Sequence, residues 1–364
     1  MRFLVVLLLA FGVLACDSSP PGGALGSPDA RADAPADAGA NAPADAGARM
    51  DASTSTSSRD AGVAPPPRVT ANERYEIETS EDVYARGLTR QSWAAETGTP
   101  MDLPVDVYRP KDAPPNRPAL VIVHGGGFTG GSRKQERLVE FARFFTSRGW
   151  VCISIDYRLA RNRGSVPQAW GEFVVNNVPQ ERRNQALAMY PAARDTKAGI
   201  RWLYSKAAEF RINTNYVTVM GGSAGAALSI MAGVTNPEDF RDELTIEQDE
   251  TLTSAHLDQP SDVVAILDYW GGPTHMTLLE GAYGHERFDQ DDAPINIVHG
   301  TADPTVPFEL AEEIRDEYIA TGVDHAFHPL NGAGHGAWGA SIDGKNLREN
   351  AFEFVTGRLG LTVD

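Results

Sequence analysis

The run Gly221-Gly222-Ser223-Ala224-Gly225 sits between an apolar stretch, Tyr216 to Met220, and the helix-forming stretch Ala226 to Ala232. A G-x-S-x-G turn from strand to helix presents a serine as a nucleophile. The reversal is sharp, so the central residue takes strained torsions with other chain close by, and glycine or alanine leaves the space this needs. All four positions flanking Ser223 are Gly or Ala. The following helix aims its N-terminal amides at any oxyanion formed beside Ser223, which favours acyl transfer. The competing reading is a glycine-rich turn whose serine caps the helix.

A second motif supports the chemical reading. Pro118 to Val123 has the composition of a buried strand and runs into His124-Gly125-Gly126-Gly127-Phe128. Consecutive glycines let the chain approach a substrate closely. The amides of Gly125, Gly126 and Gly127, with that of Ala224, are the candidate donors to a carbonyl oxygen as it becomes negative.

With these two motifs in this order, residues 72 to 360 resemble an α/β-hydrolase of the esterase and lipase group, similar to its feruloyl-esterase-like and hormone-sensitive-lipase-like branches. Two further segments carry the resemblance: Gly149 to Leu159, like the strand and loop after the oxyanion motif, and Pro191 to Leu203, like the helix before the nucleophile strand. The resemblance implies a catalytic acid and then a histidine downstream, each in a loop beyond a strand.

Pro294 to Gly300 reads as a strand, and the turn-rich loop after it offers Asp303 as the acid. Its rival is Asp268, at the end of the apolar run Val263 to Leu267. For the base, Asp324 to Leu330 reads as the last strand and the loop Asn331 to Gly336 carries His335, with His325 and His328 as alternatives. In the implied roles Ser223 attacks, His335 moves the proton and Asp303 fixes the imidazole. His124 and His299 each precede glycine at the end of an apolar run and read as strand-end residues.

These loops need a sheet to hold them. Strand segments alternate with helical ones such as Arg133 to Arg148 and Thr196 to Phe210, which predicts a doubly wound, mainly parallel sheet over residues 71–364. Residues 160 to 190 and 235 to 260 lack sheet patterns and are expected to be loops or a small lid.

The first 70 residues differ in character. Arg2 and the apolar stretch Phe3 to Leu14 make a targeting segment over residues 1–15, and Val13-Leu14-Ala15-Cys16 resembles a bacterial lipobox, which predicts lipidation of Cys16 and a cell-envelope location. The apolar stretch is too short to span a bilayer, so lipid on Cys16 would anchor the protein. Residues 16–70 are rich in Ala, Asp, Pro, Gly and Ser, and Ala34 to Ala40 recurs unchanged as Ala42 to Ala48. Such a stretch buries too little apolar surface to offset its ordering entropy and is expected to be a disordered tether reaching about 40 Å.

The formal charge is −17, which argues against a nucleic-acid partner. With Cys16 assigned to lipid, Cys152 stands alone in an apolar strand and is expected to be an inert buried thiol. P-loop and zinc spacings do not occur, and no cofactor or metal is expected. The leading expectation is a serine carboxylic-ester hydrolase acting on small-molecule or polysaccharide-linked esters. The alternatives are a peptidase of the same fold and a non-catalytic binding module on a hydrolase scaffold.

Overall fold

The computed structural model describes residues 65–364; the expected targeting segment, Cys16 and nearly all of the expected tether lie outside them. In chain order the strands are β1 (Arg68–Val69), β2 (Ile77–Thr89), β3 (Thr99–Pro110), β4 (Arg117–Val123), β5 (Val151–Ile155), β6 (Ile212–Gly222), β7 (Ala265–Tyr269), β8 (Ile295–Gly300), β9 (His325–Leu330), β10 (Ser341–Ile342), β11 (Lys345–Asn346) and β12 (Thr362–Val363). The helices are α1 (Glu136–Thr146), α2 (Gln168–Asn177), α3 (Arg183–Ser205), α4 (Ala207–Phe210), α5 (Ala224–Val234), α6 (Thr274–Tyr283), α7 (Phe308–Thr321) and α8 (Leu347–Arg358).

Eight strands form one sheet in the order β2-β3-β5-β4-β6-β7-β8-β9. The five pairings from β5 to β9 are parallel, and β2 and β3 add an antiparallel edge. The parallel strands are buried on both faces, so their sequences read as apolar runs rather than alternations. Along β4, Ala119, Val121 and Val123 enter the core shared with α3, α5, α6 and α7, whereas Leu120 and Ile122 enter the core shared with α1 and α8. Cys152 lies in the second core, and burial pushes its thiol up to about 12, where no thiolate forms near neutrality.

Three differences from the sequence expectations have physical causes. The first is the β2–β3 hairpin, for which no strand was expected. The outer residues of β2, Glu78, Thr79, Ser80, Glu81 and Asp82, are exposed and polar, so this edge strand lacks the apolar signature. The second is α3, which begins at Arg183 rather than at Pro191 or Thr196 and so carries Pro191 in its interior. Proline removes one helical hydrogen bond and reads as a stop, but here the surrounding turns are buried against the core and hold the helix through it. The third follows from it: 160 to 190, expected as loops or a small lid, is substantially helical, with α2 and the first turns of α3. Residues 235–260 are mainly turns, ending in a short 3-10 turn, Glu250–Ser254.

Candidate active site

The sheet delivers four loops, in three groups, to its carboxyl edge. The first is the turn at Ser223, whose φ of 57° and ψ of −122° mark it as strained for a residue with a side chain. The flanking glycines are required by contact. A Cβ on Gly221 would lie 2.2 Å from the Gly225 carbonyl carbon, and one on Gly225 would lie 2.1 Å from the Val123 oxygen. The turn is thus pressed on itself and on β4. The Ser223 amide donates to the Tyr269 carbonyl at 2.9 Å, and the hydroxyl makes no capping bond to α5. The capping reading of this serine therefore fails.

The second loop is His124 to Phe128, which leaves β4 beside the turn. A Cβ on Gly125 would lie 2.7 Å from the Gly222 oxygen and 3.4 Å from the Ser223 Cβ. Gly126 and Gly127 have φ of 114° and 59°, a conformation glycine adopts without a side-chain clash. Among the described residues the amides of Gly125, Gly126 and Gly127 donate no hydrogen bond. Ala224 is the first residue of α5, so its amide has no acceptor within the helix. Gly125 lies against the serine turn, Ala224 follows the serine directly, and all four amides keep their donor capacity.

The shape of this loop is enforced from behind. His124 is buried and stacked on Tyr157 with ring centroids 4.2 Å apart, and the Tyr157 hydroxyl donates to the His124 carbonyl at 2.9 Å. Burial holds the His124 imidazole below its ordinary pKa, so it is neutral. Gln185, in the first turn of α3, donates to the Gly127 oxygen at 2.9 Å. Arg133 closes the loop by donating from its backbone amide and its guanidinium to Asp156, at 2.6 Å each, and to Asp106 at 2.7 Å. His124 is a strand-end residue, as its position implied.

The third group of loops follows β8 and β9. His335 Nδ1 lies 2.8 Å from Asp303 Oδ2. The other carboxylate oxygen of Asp303 accepts from the amides of Thr305 at 2.8 Å and Val306 at 3.0 Å. Burial alone would raise the Asp303 pKa, but the bond to His335 and the two amides outweigh it and hold the carboxyl below its ordinary value. The Asp303 side chain is 0% exposed and that of His335 is 24% exposed, so the pair is dry on the acid side and open on the imidazole side. Its Nε2 is left for a further partner, although no hydrogen bond joins it to Ser223 Oγ among the described residues. Such contacts commonly tighten only once substrate is bound.

The other candidates are elsewhere. Asp268 is fully buried at the end of β7 and accepts from the Gly271 amide at 2.8 Å; its second oxygen has no partner, and burial raises its carboxyl to about 7. His325 faces the Val323 carbonyl. His299 is buried and lies 2.9 Å from the Val306 carbonyl, behind the Asp303 turn.

Two tryptophans escaped the sequence reading. Trp338, three residues past His335, covers the serine turn: a Cβ on Gly222 would meet its ring at 2.6 Å. Trp270, after β7, lies against Trp338 with centroids 4.6 Å apart and 6.3 Å from the His335 ring. The serine turn and the histidine loop therefore share one aromatic wall. The only local hint was an aromatic residue in an otherwise glycine-rich loop. Among the described residues no group of His, Cys, Asp and Glu is arranged to hold a metal, and no helix is long and apolar enough to cross a membrane.

Comparison with known proteins agrees with this architecture. Esterase LipC of Mycobacterium tuberculosis is 26% identical over 256 residues, covering 64% of this chain and 56% of its own length. Carboxylesterase NlhH of the same species is 30% identical over 129 residues, 35% of this chain and 32% of that protein. The chain thus spans about half the length, or less, of these relatives. Thermogutta terrifontis esterase 2 in its apo form superposes with a TM-score of 0.54 at 22% identity, covering 80% of this chain and 96% of that one. The same esterase phosphorylated by paraoxon gives a TM-score of 0.54 at 23% identity, covering 77% and 94%. These likenesses establish the α/β-hydrolase fold. The BD-FAE family model matches residues 105–170 and 168–288, which hold the glycine loop, the serine turn and the strands between them. With half of its length matched, the chain belongs to the BD-FAE family.

Proposed function

We propose that this protein is a carboxylic-ester hydrolase working through an acyl-enzyme. The observation that carries the reading is the strained Ser223 turn, packed against the glycine loop at Gly125 and, at Gly222, under Trp338 from the loop that carries His335, the hydrogen-bond partner of Asp303. Ser223 Oγ attacks the ester carbonyl as His335 Nε2 takes its proton. The carbonyl oxygen becomes negative and is received by the amides of Gly125, Gly126, Gly127 and Ala224, which act in a site that needs little reorganisation. The C–O bond to the alcohol then breaks as the imidazolium returns the proton to the leaving oxygen. Water, deprotonated by the same imidazole, attacks the acyl-serine, and the carboxylic acid leaves with Ser223 restored. Asp303 keeps the proton on Nδ1, so that Nε2 is the basic nitrogen, and stabilises the imidazolium that forms twice per cycle.

The esterase names of the relatives support the reaction class. The substrates proposed are small-molecule esters or esters linked to polysaccharide. Cys16, with its lipobox-like context, supports anchoring by lipid at the bacterial cell envelope; a shift in electrophoretic mobility that is lost in Cys16→Ala tests this.

The catalytic reading is tested by incubating the purified chain with a fluorophosphonate probe and with p-nitrophenyl esters of graded chain length. Labelling and hydrolysis that vanish in Ser223→Ala support it. A folded protein that neither labels nor hydrolyses any of these esters refutes it, and the binding-module reading would take its place.

A further inference from the structure

A second histidine stands behind the Asp303–His335 pair. His299, the penultimate residue of β8, is buried, and its Nε2 lies 2.9 Å from the Val306 carbonyl oxygen. A carbonyl can only accept, so the ring carries a proton on Nε2. Burial holds the imidazole below its ordinary pKa, so that is its one proton, and Nδ1, buried with no partner, is the bare nitrogen.

Nε2 also lies 3.6 Å from Asp303 Oδ2, the oxygen that faces His335 Nδ1 at 2.8 Å. This is too long for a hydrogen bond. Both side chains are nevertheless 0% exposed, and in such a low-dielectric place the positive end of an N–H dipole acts on a carboxylate over this distance. Val306 ties the groups together, since its amide donates to Asp303 Oδ1 at 3.0 Å while its carbonyl takes the His299 proton. The two loops above are bonded to each other as well. The Ala302 amide donates to the Ala333 carbonyl at 3.0 Å, and the Gly332 amide donates to Thr301 Oγ1 at 2.8 Å. Besides Asp303 and His335, the titratable group that acts on the His299 ring is Glu309, in the first turn of α7.

We propose, on the roles assigned to Asp303 and His335, that His299 is a positioning residue of the acid: its Nε2–H holds the Asp303 turn through the Val306 carbonyl and lends partial positive charge to the carboxylate oxygen that faces His335. The carboxylate is thereby a weaker base toward the imidazolium than it would be alone. His335 sheds its proton at a lower pH, and the free base that takes the Ser223 proton persists further into the acid range.

Two variants and one wild-type measurement test this on the full chain. His299→Leu removes the N–H at similar volume, and His299→Gln returns an N–H near the same place. In His299→Leu the acid limb of kcat/KM for p-nitrophenyl acetate should move up by about 0.5 to 1 pH unit. Its kcat should fall about tenfold with KM unchanged, and His299→Gln should bring the limb back. An acid limb that stays in place in a folded His299→Leu, or fails to return in His299→Gln, overturns the proposal, because a merely structural residue would lower kcat without moving the limb. The His335 titration followed by NMR should shift equally, and it needs no turnover. A chain that shows this shift and hydrolyses no ester refutes the acyl-enzyme reading and keeps the coupling; an active chain without the shift refutes the coupling alone. In the wild type, imidazole nitrogen NMR should find His299 uncharged and protonated on Nε2 between about pH 5 and 9. A ring protonated on Nδ1, or one that titrates in this range, overturns the proposal even where His299→Leu folds poorly.

Discussion

Replacing Asp303 by asparagine isolates the part of the proposed mechanism that depends on proton placement. In the wild type one carboxylate oxygen accepts from the amides of Thr305 and Val306, and the other faces His335 Nδ1 at 2.8 Å. The side-chain carbonyl of the introduced asparagine has one place where it loses nothing, against those two amides. Its NH₂ must then point at His335 Nδ1, which becomes an acceptor, and the ring proton moves to Nε2. A ring protonated on Nε2 cannot take the proton of Ser223. The shape of the site is kept while its chemistry is inverted, and losing the productive tautomer in this way lowers turnover by about 10³ to 10⁴-fold. At about 1.4 kcal/mol per factor of ten, the barrier rises by roughly 4 to 5.5 kcal/mol. The assay is kcat/KM for p-nitrophenyl acetate between pH 5 and 9, with thermal unfolding to show that the fold is retained. A folded Asp303→Asn variant within tenfold of wild type would refute the assigned role of the pair.

Two further outcomes follow from contacts around the site. Gly225→Ala should destabilise the protein by about 3 kcal/mol or more in denaturant unfolding, since its Cβ would press on the backbone oxygens of Val123 and His124 at 2.1 and 2.7 Å, which cannot turn aside; Gly357→Ala in α8, with open space around it, should be neutral or stabilising, and equal costs for the two would contradict the argument. For Asp268, whose carboxyl stands at about 7 when folded against an ordinary 3.8, the unfolded chain releases its proton from about pH 4 upward while the folded protein keeps it. Wild-type stability therefore falls as pH rises through this window, by at most about 4 kcal/mol. The Asp268→Asn variant should gain on wild type as pH rises from 4 to 8, and a constant difference between their pH profiles would show that Asp268 ionises normally.

The serine turn and the glycine loop were legible in the sequence because their geometry is local: each needs small residues at fixed offsets, whatever surrounds it. The strands β4, β6 and β8 were legible because burial on both faces writes them as apolar runs. Asp303 and His335 required the order of the loops and the roles implied by the resemblance, and parallel β8 and β9 bring their two loops together. Edge strand β2 failed because its exposed face is polar, and the start of α3 failed because a proline such as Pro191 reads as a helix boundary, not an interior residue. The wall formed by Trp270 and Trp338 joins residues from distant parts of the chain. No spacing in one dimension records such contacts.

The two-residue pairing of β1 with β12 has a consequence for anything attached to the protein. The amides of Thr362 and Asp364 donate to the carbonyls of Pro67 and Val69, and Arg68 forms an ion pair with Asp364 at 2.5 Å. The amides of Thr70, Arg74 and Tyr75 donate to the carbonyls of Arg148 and Ser147, at the turn that enters β5. Both ends of the described domain therefore leave from the edge where the parallel strands begin, whereas Ser223 and the glycine loop occupy the edge where they finish. A fusion partner, an affinity tag or a solid support joined at either end of the described domain is separated from the mouth of the site by the length of the parallel strands. A pull on the first strand would peel its short pairing before any force reached the serine.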